Sequence, residues 1–78
     1  MKTEDQEREQ QRLRAAIAAR PGWNFSKTLQ RYGKRVMSLD INEVGPGAWP
    51  KIEDLTVGQA QQFADLIETN IPLPVEVK

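Results

Sequence analysis

Apolar residues repeat at helical spacing most clearly in the segment after Thr56. Thr56 and Gln59 form a capping box at its start, while Asn70 and Pro72 are typical of a helix end. The apolar positions lie three or four residues apart: Val57, Ala60, Phe63, Ala64 and Ile67. This spacing predicts an amphipathic helix over residues 57–70.

A second helix is predicted near the start of the chain. Thr3 and Gln6 again have capping-box spacing, and Pro21 and Gly22 end the segment. Three acidic residues at its beginning suit the positive end of the helix dipole: Glu4, Asp5 and Glu7. The larger apolar residues, Leu13 and Ile17, fall in its second half. We therefore expect residues 1–12 to project into solvent.

The middle segment fits two kinds of structure. As a helix, it would place apolar residues near helical spacing with Ser26 as a cap: Leu29, Tyr32, Val36 and Leu39. Gly33 would then sit inside the helix, at a cost of roughly 1 kcal/mol.

As a β-hairpin, the same segment separates its apolar and polar residues better. A turn through Tyr32, Gly33 and Lys34 would bring Leu29 opposite Met37, and Phe25 opposite Ile41, on one face. A one-residue slip would scatter these side chains onto both faces, so the alignment is informative. The pattern favours the hairpin.

The C-terminal tail, residues 71–78, alternates apolar residues with prolines and an acid. Such a segment suits an edge strand, where proline costs no ladder hydrogen bond. The sequence thus predicts a single α+β domain over residues 1–78, ordered α-β-β-α, with an extended tail that can add a strand. A lone hairpin is marginally stable, so pairing with a second copy in a homodimer is one way to complete the fold.

Composition excludes most catalytic and metal chemistry. The 78 residues include no cysteine and no histidine, which removes disulfides, thiol nucleophiles, Ser-His pairs and nearly all zinc sites. We expect no enzyme activity, no cofactor and no bound metal. No apolar run approaches the ~20 residues of a membrane span, and the N-terminus lacks the apolar stretch of a signal peptide. We therefore expect a cytoplasmic protein without a membrane partner.

Charge is divided unevenly along the chain, although the formal net charge is zero. Residues 20–35 contain five basic residues and no acid, whereas residues 36–78 contain seven acids and two lysines. A dipolar molecule of this kind suggests a surface that meets a charged macromolecule.

Three groups of residues are candidates for binding. The basic segment, residues 20–35, contributes four of its cations and one aromatic residue, which the hairpin turn would leave free to stack on a base: Lys27, Arg31, Lys34, Arg35 and Tyr32. Trp49 lies in a loop, where it either plugs the core or anchors a partner, and the core position is favoured. The tail offers apolar side chains for a partner's sheet edge: Ile71, Leu73 and Val75.

The sequence favours a small non-enzymatic adaptor or inhibitor that binds a larger protein, of the kind common among phage and mobile-element regulators of host machinery. In this hypothesis the tail and Trp49 supply affinity, while the basic residues steer association. The alternative is a nucleic-acid-binding regulator that contacts phosphates through the basic segment.

Overall fold

The computed structural model of the protein describes residues 2–74. Within them lie three α-helices: α1 (Glu4–Ala18), α2 (Phe25–Met37) and α3 (Val57–Asn70). Two single 3-10 turns, Pro46–Ala48 and Ile52–Asp54, lie between α2 and α3. Residues 2–74 contain no strand, so the α+β prediction is wrong and this part of the chain is all-helical.

Helices α1 and α3 pack side by side in the same direction. Near their starts, the buried Gln10 of α1 donates to the backbone oxygen of Leu55 at 2.8 Å, just before α3 begins. Near their ends, Arg20 donates to the backbone oxygen of Ile71 at 2.6 Å. The two helices therefore form a parallel pair, and α2 packs on α3 beside them.

Hydrogen bonds attach the polar half of α1 to the rest of the protein. Gln6 and Gln10 both donate to the Leu55 oxygen, and Gln10 is only 1% exposed. The sequence predicts that residues 1–12 project into solvent, because that half of the helix has no large apolar face. Its amide side chains make the contacts instead, and apolar spacing carries no signal for them.

Helix α2 forms where the sequence favoured a hairpin, so that prediction is corrected. Asn24, rather than Ser26, is the N-cap, and its side chain accepts from the Lys27 N–H at 2.8 Å. Leu29 and Tyr32 lie on the buried face, and Phe25 packs edge-on against Phe63 of α3 at 5.8 Å between ring centroids. Phe25 and Leu29, which a hairpin would place on one strand, lie on the face of α2 that packs on α3, whereas Ile41 follows the helix and enters the core from the next segment.

Gly33 lies inside α2 because the chain folds back against it. A Cβ atom at this position would lie 2.9 Å from the backbone oxygen of Leu39. Ser38 ends the helix in the left-handed conformation, with φ of 55°, and the Leu39 N–H then donates to the Gly33 oxygen at 3.2 Å. The interior glycine, which counted against a helix, is what lets this helix end where it does.

The core is built from all three helices and from the connection before α3. Its buried apolar residues are Leu13, Ala16, Leu29, Tyr32, Ile41, Leu55, Ala60, Phe63, Ala64 and Ile67. The tail residues 71–74 form no strand, and Ile71 packs partly buried against this core. The helices described are all too short or too polar to cross a membrane.

Candidate nucleic-acid interface

The outward side of α2 carries four exposed cations: Lys27, Arg31, Lys34 and Arg35. At 100° per residue they fall within an arc of about 100°, and from Lys27 to Arg35 the helix rises about 12 Å. We call these four residues the basic face. Capping at Asn24 fixes the start of the helix and hence the direction in which the basic face points.

The positive charge of the basic face is largely uncompensated. Lys34 has a carboxylate neighbour, Asp40, with 3.7 Å between Nζ and Oδ2. Among residues 2–74, no carboxylate lies within ion-pair distance of Lys27, Arg31 or Arg35. Asp65 lines the same hollow as Arg35 but is paired with Arg12, so three of the four cations have no ion-pair partner among the described residues.

Two side chains of the basic face are held in place by neighbouring groups. Lys27 donates through Nζ to the backbone oxygen of Gly22 at 2.7 Å. The Arg31 guanidinium lies over the indole ring of Trp23, with 5.4 Å from Cζ to the ring centroid. Trp23 in turn donates through Nε1 to Oγ1 of the fully buried Thr28 at 2.9 Å.

Two residues of the basic segment do not join the basic face. Arg20 is 7% exposed and donates to the backbone oxygens of Ala16 and Ile71, so it fastens the end of α1 to the chain after α3. Tyr32 is also 7% exposed and belongs to the core. Its ring is therefore not available to stack on a base, as the hairpin turn would have allowed.

The other candidate residues lie apart from α2. Trp49 is partly buried against the core and donates through Nε1 to the backbone oxygen of Val44 at 3.2 Å, which fits the core position that the sequence favoured. Ile71 is also partly buried, whereas Leu73 is 57% exposed. Val75 lies outside the described residues. Hence the structure brings the four cations together but does not join them to Trp49 or Leu73 in one site.

A separate ionic cluster joins α1 to α3. Arg12 donates to Asp65 and to Glu68 at 2.6 Å each, and to Glu9 at 3.4 Å. The hydrogen bonds that Arg12 donates to Glu68 and then to Asp65 raise the pKa of Arg12 above its ordinary value, so the guanidinium stays charged. Residue spacing carries no signal for this pairing, because Arg12 precedes Asp65 and Glu68 by more than 50 positions.

Among residues 2–74, no group of acidic side chains is arranged to hold a metal ion.

Gln30, an exposed amide that lies beside the basic face, was not identified from the sequence. The helical spacing of residues 27, 31 and 34 is the signal that would have placed Gln30 there, had the helix been preferred.

Comparisons with known proteins add no assignment. The chain matches no protein family, no curated protein and no solved structure. Function is therefore argued from the geometry and charge of the basic face.

Proposed function

We propose that this protein is a non-enzymatic DNA-binding protein that contacts duplex phosphates through the basic face of α2. The observation that carries the proposal is that this face presents four exposed cations on one side of one helix, with Asp40 paired to Lys34 and Asp65 in the same hollow as Arg35 at its edges. Cations neutralise phosphates and release condensed counterions, which drives binding to nucleic acid of any sequence.

The make-up of the face favours nucleic acid over a protein partner. Protein interfaces need a buried apolar or aromatic centre and are depleted in lysine. Among the described residues, the large apolar side chains classed as exposed are Val57 and Leu73, and neither belongs to α2. Around the four cations, α2 exposes polar side chains such as Ser26 and Gln30.

The same face favours a duplex over a single strand. Single-strand binding relies on aromatic rings that stack on unpaired bases. Tyr32 is buried, and Arg31 lies over the ring of Trp23. An α-helix, in contrast, fits the roughly 12 Å width of the major groove of B-DNA, with phosphates on both sides.

A salt series on a short DNA duplex tests the proposal. With all four cations on phosphates, log affinity should fall against log salt with a slope of roughly −3.6. The double variant Lys34→Ala/Arg35→Ala should halve the slope to roughly −1.8, because two phosphate contacts are lost. Lys34 and Arg35 are chosen because both are exposed and neither holds Trp23 in place.

The matched control is Arg8→Ala/Lys51→Ala, which removes the same charge from exposed positions outside α2. Its slope should stay within error of the parent protein. A control that weakens binding as much as the α2 variant would show that the whole molecule, rather than the basic face, attracts DNA. No binding at about 50 mM salt would overturn the proposal.

A protein partner remains the second candidate, favoured by the exposure of Leu73. Leu73 follows Ile71 and Pro72, which with Trp23 line an open groove between the ends of α1 and α3. In this proposal the protein is an adaptor or inhibitor that buries Leu73 against its partner, and the basic face steers association. Leu73→Asp should then abolish binding to the partner, while leaving any binding to DNA unchanged.

A further inference from the structure

The four cations of the basic face differ in how firmly they are held. Lys34 and Arg35 are exposed, and the side chain of Lys34 has a single ion-pair contact, with Asp40 at 3.7 Å. Arg31 instead has its planar guanidinium over an aromatic ring. A phosphate contact needs only a nearby charge, whereas reading a base edge needs donors that point in a fixed direction.

A chain of contacts fixes the ring on which Arg31 rests. The Trp23 Nε1 donates to Oγ1 of Thr28 at 2.9 Å, and the same hydroxyl donates to the backbone oxygen of Asn24 at 3.0 Å. Thr28 is fully buried, and Asn24 is the N-cap of α2. The indole is therefore tied to the rigid start of the helix, and it limits the rotamers open to Arg31.

From this arrangement we infer that Arg31 is the base-reading residue of the proposed DNA complex and that it recognises guanine. The inference rests on the proposed function. With its Cζ 5.4 Å from the ring centroid, the guanidinium keeps N–H donors free, and a pair of these matches the O6 and N7 acceptors of guanine in the major groove. Trp23 is the positioning residue. On the recognised sequence Lys27, Lys34 and Arg35 contact phosphates and the salt slope should be roughly −2.7, whereas roughly −3.6 applies to duplexes of other sequence, on which Arg31 also contacts a phosphate.

The neighbourhood of Arg31 is open enough for a base edge to approach. Trp23, Lys27, Gln30 and Arg31 line a shallow, solvent-open hollow on the outside of α2. The amide of Gln30 stands next to Arg31 in sequence and is exposed, so it is placed to contact the neighbouring base pair. Lys27 is hydrogen-bonded to the backbone oxygen of Gly22 at the edge of the same hollow and supplies positive charge for the flanking phosphate.

The test uses duplexes selected from a random library by the purified full-length protein. Guanines in the selected duplex are replaced one at a time by 7-deazaguanine, which lacks the N7 acceptor but keeps charge and pairing. One such replacement should weaken binding by about fivefold or more, the discrimination expected of one bidentate contact. Arg31→Lys, which keeps the charge but loses the fork, should show a smaller penalty for that replacement, and Arg31→Ala should show none.

Two further variants separate reading from general affinity. Arg35→Lys is the matched control and should keep the full 7-deazaguanine penalty. Trp23→Leu leaves Arg31 present but removes its ring, so the penalty should shrink while the salt slope remains. Circular dichroism of each variant checks that the helices are intact.

The outcomes distinguish this inference from the proposed function. Salt-dependent duplex binding without sequence preference, or with no 7-deazaguanine penalty, overturns the role of Arg31 but leaves DNA binding standing. A penalty that persists in Arg31→Ala, which has no side-chain donor to reach N7, assigns base reading to another residue and also overturns the inference. Absence of duplex binding at low salt overturns both.

Discussion

Gly33 lowers the stability of α2 as an isolated helix, but the close approach of Leu39 requires a residue without a Cβ at this position. Alanine at this position would favour the helical state by about 1 kcal/mol in an isolated helix. Its Cβ, however, would lie 2.9 Å from a backbone oxygen of Leu39, which cannot turn away as a side chain can. Moving that carbonyl would strain the hydrogen bond from the Leu39 N–H to Gly33.

We therefore expect Gly33→Ala to destabilise the protein by about 1–2 kcal/mol, because overpacking outweighs the helical preference. The matched control is Gly58→Ala, in the first turn of α3, where a Cβ would meet no atom within 4 Å. That variant should gain up to about 1 kcal/mol. Urea denaturation followed by circular dichroism measures both, and a stabilised Gly33→Ala would contradict the close approach.

At the scale of elements, capping and apolar spacing predicted two of the three helices. Thr3 and Thr56 both cap as the sequence indicated, and α3 covers the predicted residues 57–70. Helix α2 could not be chosen from the sequence, because period-2 and helical spacing both fit its apolar residues. The deciding contacts, Gly33 with Leu39 and Phe25 with Phe63, form only when the chain has folded.

The same limit applies to the candidate site. The four cations were named from composition and are exposed, as a binding surface requires. Tyr32 was grouped with them because a turn would expose it, whereas the helix turns it inward. The contact of Arg31 with Trp23 spans eight residues and depends on the bend before α2, which residue spacing does not encode.

Arg12 adds an ionic link between α1 and α3 to the hydrogen bonds made by Gln10 and Arg20. The Arg12 side chain binds Asp65 and Glu68 at once, but the two carboxylates are 59% and 42% exposed, so solvent screens the attraction. We expect Arg12→Ala to lower the free energy of unfolding by about 1 kcal/mol, at the upper end for exposed pairs because three charges cooperate.

Arg8→Ala provides the control for this cluster. Arg8 contacts Asp5 within α1 at 3.2 Å, and both side chains are at least 70% exposed. Its loss should change stability by about 0.3 kcal/mol or less. Thermal unfolding at low and high salt distinguishes the two, since the Arg12 effect should shrink with screening. Equal effects of both variants would mean that the cluster does not join the helices.

The raised pKa of Arg12 fixes how its contribution depends on pH. A cation whose pKa is higher in the folded state stabilises that state fully below its unfolded pKa, which for arginine lies far above neutral pH, and this stabilisation is lost only as the pH rises through the folded value. Titration of the guanidinium itself therefore causes no change in stability around neutral pH.

The net charge of the protein is zero, but its acidic residues lie at different distances from the basic face. Lys27 of the basic face is hydrogen-bonded to Gly22, just after the end of α1, whereas Glu7 lies in the first turn of α1 and the backbone of Glu53 is bonded to Gln10 of that helix. Along α1 alone, Glu7 and Ala18 are about 16 Å apart. That distance exceeds the Debye length of about 8 Å at 0.15 M salt but not the roughly 30 Å at 0.01 M.

Binding of DNA by the basic face should therefore respond to distant acids only at low salt. We expect Glu7→Gln/Glu53→Gln to raise duplex affinity by about twofold at 0.01 M salt and to leave it unchanged at 0.15 M. Asp40→Asn, which removes the carboxylate next to Lys34, should raise affinity roughly threefold at both concentrations. Fluorescence anisotropy with a labelled duplex measures each value. An equal gain in affinity from Glu7→Gln/Glu53→Gln at 0.15 M would mean that DNA lies within a Debye length of these two acids. The interface could then not be confined to α2.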